Sequence, residues 1–280
     1  LITHFFNPPR YLRLLEVVYS KDLTNEKIES IRKFCDINLG KKVIETKDTA
    51  GFIGNRIGIF WIERAAVQSI KYKLSVEEAD SIIMNLFNVP KTGVFGLIDV
   101  VGLDLIPSVV ESLLNNIPKD DYYHTVHQKP KIFQFMLENN MIGRKGSGGF
   151  YKLVNNRNKK IKYSLNLESK KYSISFKSNV GKFFRINSNL KKYLSNDDKY
   201  SQFASSVLLD VLFYVLNIAD QISPDIISID ESMKNGFGWK KGPFEIIDIL
   251  GSSFIKNFFK ENNVPVPKIL EDINSDKFYK

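Results

Sequence analysis

Apolar and polar residues follow two different patterns along the chain. The first pattern, short apolar runs on either side of an amphipathic stretch, covers residues 1–49. The run Leu14–Tyr19 is apolar apart from one glutamate and has the length of a strand, and residues 42–46 form a second such run. Between them, Thr24 precedes an amphipathic stretch over residues 25–38, which predicts a capped helix. Strand, helix and strand in this order predict a βαβ unit, or the tail of a larger α/β sheet.

From residue 50 onward the apolar positions recur at helical spacing. Residues 55–73 predict a long amphipathic helix, and Ser75 followed by Val-Glu-Glu predicts the start of another helix. A Gly-rich turn at residues 143–151 closes this region, and residues 205–221 then show the helical pattern again. The sequence therefore predicts a mainly α chain that begins with a small α/β segment.

The two helical regions share an internal repeat. At an offset of 149 residues, six positions carry the same residue in both copies. These pairs are Met84 and Met233, Gly93 and Gly242, Phe95 and Phe244, Ile98 and Ile247, Asp99 and Asp248, and Gly102 and Gly251. Asp80 also matches Asp230 with a slip of one residue. This agreement predicts that one helical domain has been duplicated.

Composition narrows the class of protein. Hydrophobic residues make up 43% of the chain and charged residues 25%, which are the values of a globular protein. No run of 18 apolar residues occurs, so we expect no membrane span. The single cysteine, Cys35, excludes a disulfide framework.

The net charge of +9 is concentrated in one segment. Residues 154–199 hold 12 Lys and Arg but 3 Asp and Glu, and the rest of the chain is balanced. No nucleic-acid docking element accompanies these cations, so we expect no nucleic-acid partner and interpret the segment as a solvated basic linker. A functional anion-binding surface is the alternative. Residues 171–176 alternate like a strand, which is compatible with a hairpin inside the linker.

The sequence has three histidines that are candidates for acid–base catalysis or metal binding. His4 lies just before the pair Pro8-Pro9, which ends a strand, and Glu16 follows twelve residues later on the next predicted strand. A carboxylate at this distance can hold an imidazole in one tautomer, although the spacing alone fits a structural pair as well. His124 and His127 have metal-like spacing in a polar loop, but no cysteine or carboxylate cluster stands near them, so we predict no metal site.

Four segments resemble the L-3-hydroxyacyl-CoA dehydrogenase family, and they stand in the family's order. They are Thr3-His-Phe-Phe-Asn-Pro-Pro9 with Leu14-Leu-Glu-Val-Val18, then Lys47-Asp-Thr-Ala-Gly-Phe-Ile-Gly-Asn-Arg56, then Lys91-Thr-Gly-Val-Phe-Gly-Leu-Ile-Asp-Val-Val-Gly102, and finally Gly143-Arg-Lys145 with Gly149-Phe-Tyr151. The second copy, with Gly242-Pro-Phe-Glu-Ile-Ile-Asp248, looks like the duplicated helical domain of multifunctional fatty-acid oxidation enzymes.

The resemblance implies a fold class and a division of the chain. It implies the C-terminal edge of a Rossmann-type α/β NAD-binding domain, followed by two duplicated all-α domains like the C-terminal domain of these dehydrogenases. The corresponding segments are residues 1–49 for the NAD-binding part, 50–153 for the first helical domain, 154–199 for the basic linker and 200–280 for the second helical copy.

The resemblance also implies roles for individual residues. His4 would be the general base, Glu16 would pair with it, and Asn55 would contact the substrate carbonyl or hold the histidine. Asn7 and Lys145 match residues that contact NAD in the family. For these two, capping of the proline turn by Asn7 and a solvated role for Lys145 are the alternatives.

The sequence departs from the family in one respect: it lacks part of the family's NAD-binding site. The family cradles the pyrophosphate of NAD with a Gly-x-Gly-x-x-Gly turn, and no such turn occurs in these residues. The family's catalytic serine and the acid that binds the ribose are also missing. The chain begins with Leu1 in what reads as the middle of a strand. We therefore expect a fragment or cleaved product of a longer protein, inactive in isolation.

The second helical copy also departs from the first. Ser205 stands where the alignment through the repeat places Asn55, and no histidine follows His127. We therefore expect the second copy to be non-catalytic.

The implied function is the NAD-dependent oxidation of 3-hydroxyacyl-CoA to 3-oxoacyl-CoA in fatty-acid β-oxidation. The implied partners are an acyl-CoA substrate and either a second copy of the chain, as a homodimer, or a multienzyme β-oxidation complex. Two alternatives stay open: a non-catalytic helical assembly module, and a related dehydrogenase that acts on a hydroxy acid without CoA. Since no basic segment precedes the first apolar run, we expect no signal peptide and a cytoplasmic protein.

Overall fold

The computed structural model describes residues 1–156, 159–187, 189–273 and 275–279. These residues form two compact units, which are described separately below. The first unit consists of residues 1–58 together with residues 213–280, and the second unit consists of residues 59–212. This division differs from the four consecutive segments predicted above. The predicted segments follow one another along the sequence. In the first unit, by contrast, helices from the C-terminal part of the chain pack on the N-terminal sheet.

The first unit contains a three-stranded sheet in the order β1-β2-β3. The strands are β1 (Ile2–Phe5), β2 (Leu14–Val18) and β3 (Lys42–Glu45). β1 is antiparallel to β2, and β2 is parallel to β3. The helix α1 (Asn25–Lys33) connects β2 to β3 and is capped by the Thr24 side chain. The predicted strand–helix–strand order is therefore confirmed.

The predicted helix over residues 25–38 differs from the structure in its last part. α1 ends at Lys33, and residues Phe34–Asn38 form a π-helical turn. This turn buries Cys35 in the core against the sheet. Gly40 follows with a φ of +63°, a conformation that glycine adopts at little cost, and the chain enters β3.

Helices from the end of the chain complete the first unit. They are α10 (Ile226–Phe237), α11 (Pro243–Leu250), α12 (Ser252–Glu261) and α13 (Lys268–Glu271). α10 packs on β2 and β3. An added Cβ at Gly236 in α10 would lie 2.7 Å from the Leu14 side chain, so the glycine permits this close approach.

Two long helices contribute residues to both units. They are α2 (Gly54–Lys71) and α9 (Lys199–Ile222). Among the described residues, α9 is the one helix long and apolar enough to cross a membrane by length and composition, but 72% of its apolar window is buried within the protein. Burial of this extent is the pattern of a core helix, and core helices pass the same test. The expectation of no membrane span stays a prediction.

The second unit is mainly helical. Its helices are α3 (Val76–Leu86), α4 (Phe95–Val101), α5 (Leu105–Asn116), α6 (Tyr122–Val126), α7 (Lys131–Glu138) and α8 (Leu190–Leu194). The predicted start at Ser75 is confirmed, because the Ser75 and Glu78 side chains form a reciprocal capping box. The segment around His124, predicted to be a polar loop, contains helix α6.

The basic segment is folded, and its description as a solvated linker needs correction. It contributes to an antiparallel sheet of β4 (Tyr151–Asn156), β5 (Lys159–Leu165) and β6 (Tyr172–Ile174), and a 3-10 helix follows at Val180–Phe184. The 3-10 helix packs on α3, where the Gly181 amide donates to Ser81 Oγ at 3.1 Å. Lysine content predicted exposure but could not reveal this packing.

Candidate active site

His4 and Glu16 face each other across β1 and β2. The antiparallel register places the two residues directly opposite, which brings side chains on the same face of a sheet within reach of each other. His4 Nδ1 lies 2.8 Å from Glu16 Oε2. The Glu16 side chain is buried, whereas 28% of the His4 side chain is exposed. The predicted histidine–carboxylate pair is therefore present, with one side of the ring open to solvent.

The second oxygen of Glu16 binds the start of α2. Glu16 Oε1 accepts hydrogen bonds from the backbone amides of Ile53 at 3.0 Å and Gly54 at 2.7 Å. Amides at a helix N-terminus have no partner within the helix and carry partial positive charge, so they stabilise a buried carboxylate. These two bonds could not be predicted from the sequence, because the residues lie 37 and 38 positions apart along the chain.

Aromatic rings surround the imidazole. The His4 ring centroid lies 5.1 Å from that of Phe6 and 5.4 Å from that of Phe52. An added Cβ at Gly54 would lie 2.2 Å from the tip of the Phe6 ring, so only glycine fits beneath that ring. The aromatic contacts fix the orientation of the imidazole on its apolar side.

Asn55 follows Gly54 in the first turn of α2 and is half-buried. The structure therefore brings together His4, Glu16 and the helical turn that carries Asn55. The role of the Asn55 amide toward a substrate stays a prediction.

Asn7 lies on the exposed loop that follows β1. A buried lysine, Lys41, holds this loop by donating hydrogen bonds to the carbonyl oxygens of Pro9 and, at 2.8 Å, Leu12. The Lys41 ammonium also lies 5.8 Å from the centroid of the Phe5 ring, a cation–π contact. The sequence does not predict this role of Lys41, since a lysine after the glycine that ends a helix has the pattern of an ordinary surface residue.

Lys145 belongs to the second unit and is exposed. Its ammonium donates to the carbonyl oxygen of Val101 at 3.2 Å, at the C-terminal end of α4. A cation at this end of a helix is favoured by the helix dipole. The predicted contact of Lys145 with NAD stays a prediction.

His127 has a carboxylate partner that its sequence neighbours did not reveal. Its Nδ1 lies 2.9 Å from Oε2 of Glu63, a buried residue of α2, and the Tyr123 hydroxyl donates to the same oxygen at 2.7 Å. In the described part of the chain, no group of three or more His, Cys, Asp or Glu side chains could hold a metal ion.

The second unit contains a buried aspartate, Asp80, that a tyrosine and two amides hold. Asp80 accepts hydrogen bonds from the amides of Phe95 at 2.8 Å and Gly96 at 3.3 Å, and from the Tyr151 hydroxyl at 2.8 Å. Burial raises the pKa of Asp80 to about 7. The Tyr151 amide also donates to Asp99 at 2.7 Å, and burial raises the pKa of Asp99 to about 6.

The first unit contains the same arrangement at Asp230. Its carboxylate accepts hydrogen bonds from the amides of Phe244 and Glu245, both at 2.9 Å, and from the Tyr279 hydroxyl at 2.8 Å. The Tyr279 amide donates to Asp248 at 2.9 Å. Burial raises the pKa of Asp230 to about 7.

Two family models match consecutive parts of the chain and together cover more than half of it. Residues 1–49 match "3-hydroxyacyl-CoA dehydrogenase, NAD binding domain", and residues 51–153 match "3-hydroxyacyl-CoA dehydrogenase, C-terminal domain".

Relatives with similar sequences span nearly the whole chain. A "Putative fatty acid oxidation complex trifunctional enzyme" of Rickettsia prowazekii is 36% identical over 99% of the chain and 39% of its own length. A "Probable 3-hydroxyacyl-CoA dehydrogenase" of Bacillus subtilis is 32% identical over 99% of the chain and 36% of its own length. The chain thus spans under two fifths of each of these relatives.

A solved structure shares the fold. The crystal structure of 3-hydroxybutyryl-CoA dehydrogenase from Escherichia coli aligns with a TM-score of 0.64 at 16% identity, and the alignment covers 96% of this chain and 69% of that one. At this identity the likeness concerns the fold alone.

Proposed function

Because the chain belongs to the 3-hydroxyacyl-CoA dehydrogenase family, we propose that it carries the acid–base centre for the NAD-dependent oxidation of 3-hydroxyacyl-CoA to 3-oxoacyl-CoA. The single observation that supports this proposal best is the 2.8 Å contact between His4 and a buried Glu16. A histidine oriented by a carboxylate is the arrangement that proton abstraction from a hydroxyl requires.

The hydrogen bonds of Glu16 define the state of His4. Glu16 Oε1 already accepts two amide protons, so the carboxylate acts as an acceptor toward His4 as well. His4 then carries its proton on Nδ1, and the lone pair of Nε2 is free to accept the proton of the 3-hydroxyl. Glu16 stabilises the imidazolium that results.

Asn55 would orient the substrate beside this base. It stands in the same helical turn whose amides bind Glu16, so its position is tied to that of the His4–Glu16 pair. An amide side chain can donate a hydrogen bond to the oxygen that becomes the ketone.

The residues present fit one end of the cofactor. Asn7 is exposed on a loop two residues beyond β1 and three residues after the general base, where it would contact the nicotinamide end. When bound, NAD supplies the acceptor for the hydride that leaves C3. The described residues contain no Gly-x-Gly-x-x-Gly turn, so the pyrophosphate cradle is not among them. Lys145 is the second proposed cofactor contact.

The duplication of the helical domain belongs to the same proposal. Asp80 and Asp230 each bind two amides and a tyrosine hydroxyl, and the tyrosines are Tyr151 and Tyr279. These shared contacts, together with the sequence repeat, support a common origin for the two helical copies. The second copy has Ser205 in place of Asn55, which supports a packing role for it.

The biological setting follows from the names of the relatives and stays part of the proposal. We place the reaction in fatty-acid β-oxidation with an acyl-CoA substrate, in a cytoplasmic multienzyme complex or a homodimer. The chain spans 39% of the Rickettsia relative, so further domains of such an enzyme would be its partners.

The test is steady-state oxidation of 3-hydroxybutyryl-CoA by a protein in which this chain is joined to a complete NAD-binding domain. His4→Gln is expected to lower kcat by about 10²- to 10⁴-fold with little change in KM. Turnover of that variant within twofold of the unchanged protein would reject His4 as the base. Free 3-hydroxy acids serve as the comparison substrates, and their equal use would reject acyl-CoA as the substrate class.

A further inference from the structure

The second unit contains a cavity of about 900 Å³ whose lining residues include none of the residues proposed above for the dehydrogenase site. Its walls come from α3, from the Gly-rich turn at residues 143–148, from β4 and β5, and from residues 175–178. The basic segment thus forms one side of the cavity. A volume of this size is in the range of pockets that hold small molecules of nucleotide size.

Cations dominate the lining of this cavity. Five basic side chains line it, namely Lys91, Arg144, Lys152, Lys162 and Lys177, against three acidic ones, namely Glu77, Asp80 and Asp99. All three acidic residues are buried. No salt bridge of the five cations occurs within the ranges that the structure describes. The basic side chains of the lining therefore outnumber the acidic ones, although Arg144 and Lys162 lie close enough to Asp99 to oppose the rise that burial causes in its pKa.

The three acids accept hydrogen bonds from groups in the walls of the cavity. Asp80 binds the Tyr151 hydroxyl and two amides, and Asp99 binds the amides of Phe150 and Tyr151. Glu77 accepts from the Phe176 amide at 3.3 Å. Their oxygens hold the walls of the cavity together by accepting these hydrogen bonds.

Two of the lysines are held in place by aromatic rings. The Lys162 ammonium lies 3.5 Å from the centroid of the Tyr151 ring, and the Lys152 ammonium lies 5.7 Å from that of Tyr172. A cation above a ring keeps its other N–H groups available, because the ring occupies one side of the ammonium. Both ammonium groups can therefore donate to an anion in the cavity.

The cavity also exposes apolar side chains. Phe176 and Leu153 line it and are 55% and 65% exposed, respectively. An aromatic ring in water beside a group of cations is the combination that binds a phosphorylated molecule with a planar base, since the ring stacks on the base and the lysines bind the phosphates.

We propose that this cavity binds a nucleoside diphosphate. The phosphates bind Lys152, Lys162 and Arg144, and the base stacks on Phe176. The lining residues belong to the second unit, whereas His4 and Glu16 belong to the first, and the proposal does not depend on the dehydrogenase function. Phosphate recognition here uses ammonium and guanidinium donors, both of which suit phosphate oxygens.

The test is isothermal titration of the chain with ADP, pyrophosphate and adenosine at low ionic strength. ADP is expected to bind saturably and more tightly than either of its parts. The double variant Lys152→Gln/Lys162→Gln is expected to weaken ADP binding by about tenfold or more, and Phe176→Leu to weaken ADP but not pyrophosphate. The matched control is Lys159→Gln/Lys160→Gln, which removes the same charge from β5 outside the cavity and is expected to change ADP binding less than twofold.

Each other outcome overturns a defined part of the proposal. No saturable ADP binding rejects the site. Equal losses in both double variants assign the effect to general charge, and pyrophosphate binding as tight as ADP binding rejects the stacked base. ADP binding that is lost in Asn7→Ala and retained in the Lys152/Lys162 variant would place the nucleotide at the dehydrogenase site instead. Circular dichroism of each variant checks that the fold is intact.

Discussion

Glu16 binds two different parts of the chain at once: one carboxylate oxygen lies 2.8 Å from Nδ1 of His4, and the other accepts the Gly54 amide at 2.7 Å. The residue therefore joins β1, β2 and the start of α2 through a single buried side chain. The geometry of the proposed base and the stability of the first unit depend on the same group.

Glu16→Gln is expected to lower the free energy of unfolding by about 1–3 kcal/mol. The NH₂ group of a glutamine would face either His4 Nδ1 or the backbone amides at the start of α2. Each of these groups is a donor toward Glu16, so a buried hydrogen bond is lost. Urea denaturation followed by circular dichroism measures the change. Glu29→Gln, at an exposed position in α1, is the control and is expected to change stability by less than about 0.5 kcal/mol. Equal effects of the two variants would contradict the role of Glu16.

Gly54→Ala is expected to destabilise the chain by about 1–3 kcal/mol, because the new methyl group would overlap the Phe6 ring. The control is Gly96→Ala in α4, where the nearest side-chain atom lies 3.4 Å from an added Cβ. Alanine is the better helix former, so this control is expected to be neutral or mildly stabilising. Thermal unfolding of both variants checks the difference, and a neutral Gly54→Ala would refute the close contact.

Lys41→Met is expected to loosen the loop that carries Asn7. The methionine retains the apolar stem but removes the bonds to the carbonyl oxygens of Pro9 and Leu12. Hydrogen exchange at the Tyr11 and Leu12 amides, both of which donate to Pro8, should then become faster by about tenfold.

Lys42→Met is the matched control for this loop. The Lys42 ammonium is exposed and lies 3.8 Å from Glu231, outside the loop, so exchange at the two loop amides should stay unchanged. Similar exchange in both variants would show that Lys41 does not hold the loop.

Asp230 gives the stability of the chain a defined pH dependence. Burial raises the pKa of Asp230 to about 7, so the folded chain holds this proton between about pH 4 and pH 7, where the unfolded chain has lost it. The contribution of Asp230 to stability is therefore full below about pH 4 and declines as the pH rises through 7. Asp230→Asn removes this decline, and the stability of the variant relative to the unchanged chain should increase from pH 5 to pH 8.

The measurement is the midpoint of urea unfolding at several pH values between 5 and 8. Asp272→Asn, at an exposed aspartate, serves as the control and should show the pH profile of the unchanged chain. A constant difference between Asp230→Asn and the unchanged chain across this range would refute the prediction.

Local signals in the sequence predicted much of the fold. β2, β3 and α2 follow from apolar periodicity, and the start of α3 follows from the capping box at Ser75. The sequence did not predict helix α4. Gly93 and Gly102 adopt turn conformations near its two ends, and Gly96, a poor helix former, lies within it. Tyr279 was not recognised as the counterpart of Tyr151, since the offset between them differs from that of the rest of the repeat.

The candidate site was predictable only in part. His4 and Glu16 lie on neighbouring strands, so their contact follows from the alternation of the sheet. The amides of Ile53 and Gly54, and the bond from Lys41 to the loop, join residues about 30 to 40 positions apart. No short-range pattern encodes such contacts, because they form only when the helix and the strands pack together.

The central claim is that Glu16 holds the proton of neutral His4 on Nδ1, which leaves Nε2 as the base. Long-range ¹H–¹⁵N correlation spectra of the chain with labelled histidine, recorded above neutral pH, test it directly. The chain has three histidines, and His4→Gln assigns the ring of interest. We predict a protonated Nδ1 and an unprotonated Nε2 for His4, with Glu16→Gln abolishing that preference. A neutral His4 ring protonated on Nε2 in the unchanged chain would contradict the account.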